Sequence, residues 1–227
     1  TQGVSSAASD VYKRQHMQWD FLQDPVRHLL RIGYNVDQCR QDDACYDLLA
    51  SEARLASFVA IAQGQVSQEN WFALGRLVTS SGGPPILLSW SGSMFEYLMP
   101  LLVMPSYENT LLDQTCRSAV QRQMSYGQER GVAWGISESG YNAVDASLNY
   151  QYRAFGVPGT GLKRGLAQDL VIAPYASALA LLVMPVAACQ NLQRLAHESL
   201  MTQYGMYEAI DHTPSRLPRG AKSATVR

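Results

Sequence analysis

Apolar residues return every three or four positions in several stretches of the chain, and almost nowhere do they alternate with polar ones in a sustained two-residue pattern. The first spacing gathers side chains on one face of a helix, whereas the second would mark a half-buried strand. The pattern therefore predicts an all-α fold class, with short extended segments confined to loops. Over 46–62 the stripe is Leu48, Leu49, Leu55, Ala56 and Val59, with Gly64 following as a stop. A short helix is expected over 67–77 with Ser67 as its N-cap, then a Gly/Pro turn over 79–85 leading into an extended run over 86–90. Another helix starts near Ser93 and carries Phe95, Leu98 and Leu102. Segment 109–127 is the clearest amphipathic stretch, with Leu112, Cys116, Ala119, Val120 and Met124 on one side. After a loop over 131–140, Asn142 is expected to cap a helix that has Asp145 in its first turn. Two more helices are expected over 175–183 and 186–201, beyond a Gly/Pro-rich connection over 156–165.

The most apolar window, 170–189, approaches the ~20 residues a membrane-crossing helix needs. Pro174 and Pro185 interrupt it, and its alanines suit close packing between helices, so a buried helical hairpin is expected instead. With 227 residues, 47% of them hydrophobic, the chain can fill the core of one or two domains. Residues 1–15 show no apolar period and are set apart as a foreign or disordered tail, which leaves 16–227 as the domain. Eighteen basic against nineteen acidic residues give a net charge of −1, which offers no field for a phosphate backbone, so no nucleic acid partner is expected. Cys39, Cys45, Cys116 and Cys189 form no C-x-x-C pair and have no histidine at ligand spacing; they are read as reduced thiols, and no metal is expected.

Candidate chemistry rests on carboxylates. Glu52 falls four residues after Leu48 and three before Leu55, on the apolar face, with Ala56 where a lysine or arginine would have paired with it. Burial without a cation raises a carboxyl pKa, which suits a general acid; the competing reading is a bond to a distant arginine. Glu138 lies between Trp134 and Tyr141 and between Gly135 and Gly140, a composition of tight turns and flat aromatic faces against which sugar C–H surfaces pack; the competing reading is a solvated loop glutamate. Glu96 is expected to close a capping box with Ser93, while Glu208 and Asp211 stand in an aromatic context of their own. Two carboxyl groups suffice for glycosidic chemistry. The phosphate-loop reading of GVPGTGLKRG fails because Lys163 comes one residue late with no hydroxyl after it. The nucleophile elbow fails at the last position of GISES, and His197-Glu198 lacks a second histidine.

The strings YDLLASEARLASFVAIAQG, LLSWSGSMFEYLMPLLVMPSY, GVAWGISESGYNAVD, NYQYRAFGVPG and YGMYEAIDHTPSRLPRG resemble the glycoamylase-like domain of bacterial cyclic β-1,2-glucan synthases over 46–220. The resemblance implies an incomplete (α/α)6 toroid of six-hairpin type, truncated at its C-terminus, and a retaining transglycosylase that closes linear β-1,2-glucan into rings. It implies Glu52 as acid/base and Glu138 as nucleophile, with Trp90, Glu96, Tyr97, Trp134, Tyr141, Asp145 and Tyr152 as walls of sugar subsites. No cofactor is implied. The implied partner is a β-1,2-linked glucan chain, and the implied setting is the cytoplasmic face of the inner membrane as part of a larger membrane protein, with no span in this segment. An endo-β-1,2-glucanase that hydrolyses the same linkage, or a noncatalytic glucan-binding fragment, would carry the same pattern.

Overall fold

The computed structural model describes residues 17–80 and 83–226, so the tail expected at 1–15 lies outside the described residues. The chain divides into two compact units, one drawn from Thr1–Leu49 and Ala53–Gly75, the other from Ala50–Glu52 and Arg76–Arg227.

In the smaller unit a two-residue strand pair, β1 (Tyr34–Asn35) and β2 (Arg40–Gln41), precedes helices α1 (Arg54–Ala62) and α2 (Glu69–Ala73). Leu30, Ala60 and Val66 form its buried centre, with Trp19, Leu22, Ala56 and Ile61 packed around them. The helix expected from residue 46 begins only at Arg54, and backbone pairing is the reason. Leu49 donates to the Gly75 carbonyl at 3.0 Å and Gly75 donates to the Asp47 carbonyl at 2.6 Å, which commits these groups to a bridge and removes them from helical bonding.

The larger unit contains β3 (Val78–Thr79), β4 (Ile86–Leu87), α3 (Met94–Leu98), α4 (Leu111–Arg130), β5 (Ser139–Val144), β6 (Tyr150–Arg153), β7 (Val171–Ile172), α5 (Pro174–Ala180), α6 (Pro185–Leu195), β8 (Met201–Thr202), β9 (Gly205–Met206), β10 (Ala209–Asp211) and β11 (Ala224–Val226). All strand pairs are antiparallel, and the three-stranded sheet has the order β11-β10-β7. Its core joins Tyr126, Ala133, Ile136, Phe155, Val157 and Leu195 to the strand residues Val171, Ile172, Ile210 and Val226.

An all-α toroid is therefore the wrong description. Among the described residues there are six α-helices and eleven strands gathered into small sheets. Strands of two or three residues, such as Val171–Ile172, are too short to display an alternation, so period counting cannot register them. The helix expected from Asn142 is the clearest failure. The Asn142 amide donates to Asp211 at 3.1 Å within β5, and Asp145 accepts from the backbone amides of Ser147 (2.8 Å) and Asn149 (2.9 Å). An aspartate bonded two and four residues ahead closes a hairpin turn as readily as it caps a helix. The apolar 170–189 window resolves into β7, α5 and the start of α6, with α5 and α6 packed together, and no helix among the described residues is long and apolar enough to cross a membrane.

Candidate functional site

Glu138 sits at the root of the β5–β6 hairpin, half-buried, at the end of an irregular stretch over 133–138. The Ala173 amide donates to the Gly135 carbonyl at 2.9 Å and the Met94 amide to the Ile136 carbonyl at 3.3 Å, and side-chain amides supply further pairing. Gln123 of α4 donates to the Ile136 carbonyl at 2.7 Å and accepts from its amide at 2.8 Å. Asn191 of α6 treats Trp134 the same way, at 2.7 and 3.2 Å. Each carboxamide satisfies one buried donor and one buried acceptor, as a neighbouring strand would. Ser137, fully buried, accepts from the Phe95 amide at 3.0 Å and lies 2.7 Å from the Tyr175 hydroxyl. Tyr175 also donates to the Glu138 carbonyl at 2.9 Å. The segment that ends at Glu138 is thus held from α3, α4, α5 and α6.

Its carboxylate accepts from the Tyr152 hydroxyl at 3.2 Å. Burial pushes the Glu138 pKa upward, the Tyr152 hydrogen bond opposes this, and the negative charges of Glu52 and Glu96 raise it further. Desolvation and the Glu138 and Glu208 charges push the Tyr152 hydroxyl up to about 12, so it remains a donor at neutral pH. Glu52 is half-buried and accepts from the Ser51 hydroxyl at 3.1 Å.

The remaining candidates separate into exposed and enclosed residues. Trp90 is exposed on a loop that Glu96 organises from below. The buried Glu96 carboxylate accepts from the Ser89 hydroxyl (3.0 Å), the Trp90 amide (3.0 Å), the Ser91 amide and hydroxyl (3.0 and 2.5 Å) and the Ser93 amide (3.0 Å), and it completes the expected capping box with Ser93. The glycine-rich segment that mimicked a phosphate loop clamps this one. A Cβ on Gly156 would lie 1.8 Å from the Ser91 carbonyl oxygen, so only glycine permits the approach. Tyr97 is enclosed, with its hydroxyl 2.8 Å from the Leu87 and Thr160 carbonyls, and burial pushes its pKa up. Trp134 is also buried. Tyr141 packs edge-on against Phe155, with the Arg216 guanidinium 4.9 Å above its ring. Asp145 is at the exposed hairpin turn, its pKa lowered chiefly by the Asn149 amide.

Glu208, ranked below the others from sequence, accepts from the Gly140 amide at 3.2 Å beside this cluster. Asp211 is instead consumed by Arg216. Sequence reasoning missed Tyr175, Ser137, Gln123 and Asn191. The last two sit inside amphipathic stretches, where a buried amide interrupting an apolar face was the available signal. A cavity of 580 Å³ lies elsewhere, between α4 residues such as Gln121 and Gln128 and the segment at Pro84 and Ile86, and contains none of the candidates. Among the described residues no cluster of His, Cys, Asp or Glu is arranged to hold a metal ion, and none of the four cysteines is in a disulfide.

Acidic side chains around a half-buried glutamate, with tyrosines beside it, are the equipment of a glycoside-active enzyme class, and comparison with known proteins agrees. The chain belongs to the Glycoamylase family ("Putative glucoamylase"), whose model matches residues 45–225. It is 52% identical over 211 residues to the cyclic beta-(1,2)-glucan synthase NdvB of Rhizobium meliloti (strain 1021), an alignment covering 93% of this chain and 8% of that protein. Its fold is similar to an endo-beta-1,2-glucanase from Chitinophaga pinensis, with a TM-score of 0.66 at 15% identity, covering 99% of this chain and 56% of the other. A structure from Bacteroides fragilis NCTC 9343 with the family's own description gives a TM-score of 0.65 at 16% identity, covering 93% and 53%. The chain therefore spans about half the length of these solved structures and a small part of the synthase.

Proposed function

We propose that this chain is the part of a β-1,2-glucan transglycosylase that carries both working carboxyl groups. The observation that carries the proposal is Glu138, half-buried, hydrogen-bonded by Tyr152 and raised in pKa chiefly by burial, with the Glu52 charge acting in the same direction. In this reading the Glu138 carboxylate attacks the anomeric carbon as the glycosidic C–O bond breaks, and the Glu52 proton passes to the departing oxygen. A hydroxyl at the far end of the same chain then displaces Glu138 from that carbon and returns its proton to Glu52. Atoms balance, no water is consumed, and the anomeric configuration is retained. The resemblance to the synthases supports cyclisation and, with it, a place on the cytoplasmic face of the inner membrane within a larger protein.

The likeness to the Chitinophaga glucanase supports a second reading, hydrolysis of the same linkage. Incubation of linear β-1,2-glucan with the protein followed by mass analysis separates them. Cyclisation yields products lighter by one water than linear chains of equal length, whereas hydrolysis yields shorter linear chains. Glu138→Gln is expected to abolish either outcome, and undiminished turnover by that variant removes Glu138 from the chemistry. Azide added to Glu138→Ala tests the assignment of roles: a glycosyl azide of inverted configuration is expected if Glu138 is the nucleophile, because the anion attacks from the space the carboxylate vacated.

A further inference from the structure

The β5–β6 hairpin starts at Glu138 and has an exposed turn at Asp145, and its register decides which side chains share a face. Tyr152 stands opposite Gly140 and Tyr150 opposite Val144, whereas Tyr141 stands opposite Gln151. Residues two apart on a strand project to the same side about 6.7 Å from one another, so Tyr150 and Tyr152 share one face and Tyr141 takes the other. The Tyr152 hydroxyl bonded to Glu138 shows that the first face is the one the candidate nucleophile occupies. The second face is spent on packing, with the Tyr141 ring against Phe155 and beneath Arg216.

Along the first face the exposed surface is aromatic and apolar: Tyr152 is 63% exposed, Tyr150 38% and Val144 50%. Tyrosine suits a sugar here because its ring packs against C–H surfaces while its hydroxyl keeps water or a sugar hydroxyl as partner. We infer that this face is a distal subsite along which a glucan chain continues away from the reacting linkage, with Tyr152 beneath the sugar next to Glu138 and Tyr150 beneath a unit farther out. The inference rests on the glucan reading above and deepens it by making Tyr150 a determinant of chain-length preference. Continuity with Glu138 through Tyr152 favours a sugar chain over a protein segment as the occupant.

The test is titration of the protein with linear β-1,2-linked trisaccharide and with polymer-length β-1,2-glucan, followed by calorimetry. Tyr150→Ala is expected to weaken polymer binding about tenfold while leaving the trisaccharide unchanged, and Tyr150→Phe is expected to restore the polymer affinity. Equal weakening for both lengths, or no change for either, overturns the inference, as it would if a protein segment covered this face. A melting curve of Tyr150→Ala that coincides with that of the parent excludes unfolding as the cause of lost affinity. If Glu138→Gln abolishes turnover while Tyr150→Ala has no length-dependent effect, only the subsite falls. If the parent protein binds neither ligand, the glucan reading falls with it.

Discussion

At the scale of single residues, four influences act on the Glu138 carboxyl in known directions: burial and the Glu52 and Glu96 charges raise its pKa, and the Tyr152 hydroxyl lowers it. Removing the one influence that favours the ionised form must move the pKa further up. A carboxylate that has to be ionised to attack carbon gives an activity that rises with pH through that value. Tyr152→Phe is therefore expected to move the acidic limb of the kcat/KM profile to higher pH while leaving the thermal melt nearly unchanged, because Tyr152 is mostly exposed. A limb that stays in place or moves down shows that the hydrogen bond does not govern this carboxyl. Much of the candidate set could be read from residue types, since a glutamate between glycines and aromatics is unusual in a solvated loop. What could not be read was the company Glu138 keeps. Ser137 and Tyr175 reach it from positions 38 apart in sequence, and nothing local to either announces the meeting.

Elements were legible where their ends carry chemistry of their own. Ser93 and Glu96 make the capping box their spacing announced. Helix α4 starts at a Thr110 cap and closes at Gly131 with φ 69°, a left-handed conformation that glycine adopts without strain. The strands were not legible, because pairs of two or three residues are specified by partners far along the chain and not by local alternation. The stretch bearing Glu138 is an intermediate case, an irregular segment held by the side-chain amides of Gln123 and Asn191 together with the backbone amides of Met94 and Ala173. Gln123 is buried inside α4, so Gln123→Met keeps the volume but leaves the Ile136 amide unpaired, while the Ile136 carbonyl keeps the Met94 amide at 3.3 Å. A buried orphan costs about 1–3 kcal/mol, and a loss of that size is expected in urea unfolding. A loss below about 1 kcal/mol would mean that water replaces the carboxamide and that the segment is held by other contacts.

On the scale of the whole molecule, the larger unit is tied together by a charged centre that no pattern in the sequence suggested. Arg216 bonds Asp211 of β10 at 2.7 and 3.1 Å and Asp169 at 2.5 Å, and its carbonyl accepts from the Asn142 side chain of β5 at 2.7 Å. One arginine thus joins the hairpin that carries the candidate site, through its carbonyl, to the three-stranded sheet, through its guanidinium. Burial alone would push the Asp211 carboxyl up, but Arg216 together with the Thr213 and Asn142 amides outweighs it and holds the pKa below the usual carboxylate range. A carboxyl lowered on folding contributes stability that is complete above its unfolded-state value, about 3.9, and is lost as pH falls through the lower folded-state value. Asp211→Asn keeps the shape while removing the charge, and breaking a buried pair from one side typically costs about 3–5 kcal/mol. At neutral pH the variant should unfold at correspondingly lower urea. The gap to the parent protein should narrow as the pH is taken below about 4, where protonation begins to do to the parent what the substitution has already done to the variant. A gap that stays constant with pH would show that the cost of the substitution comes from packing and not from the lost charge.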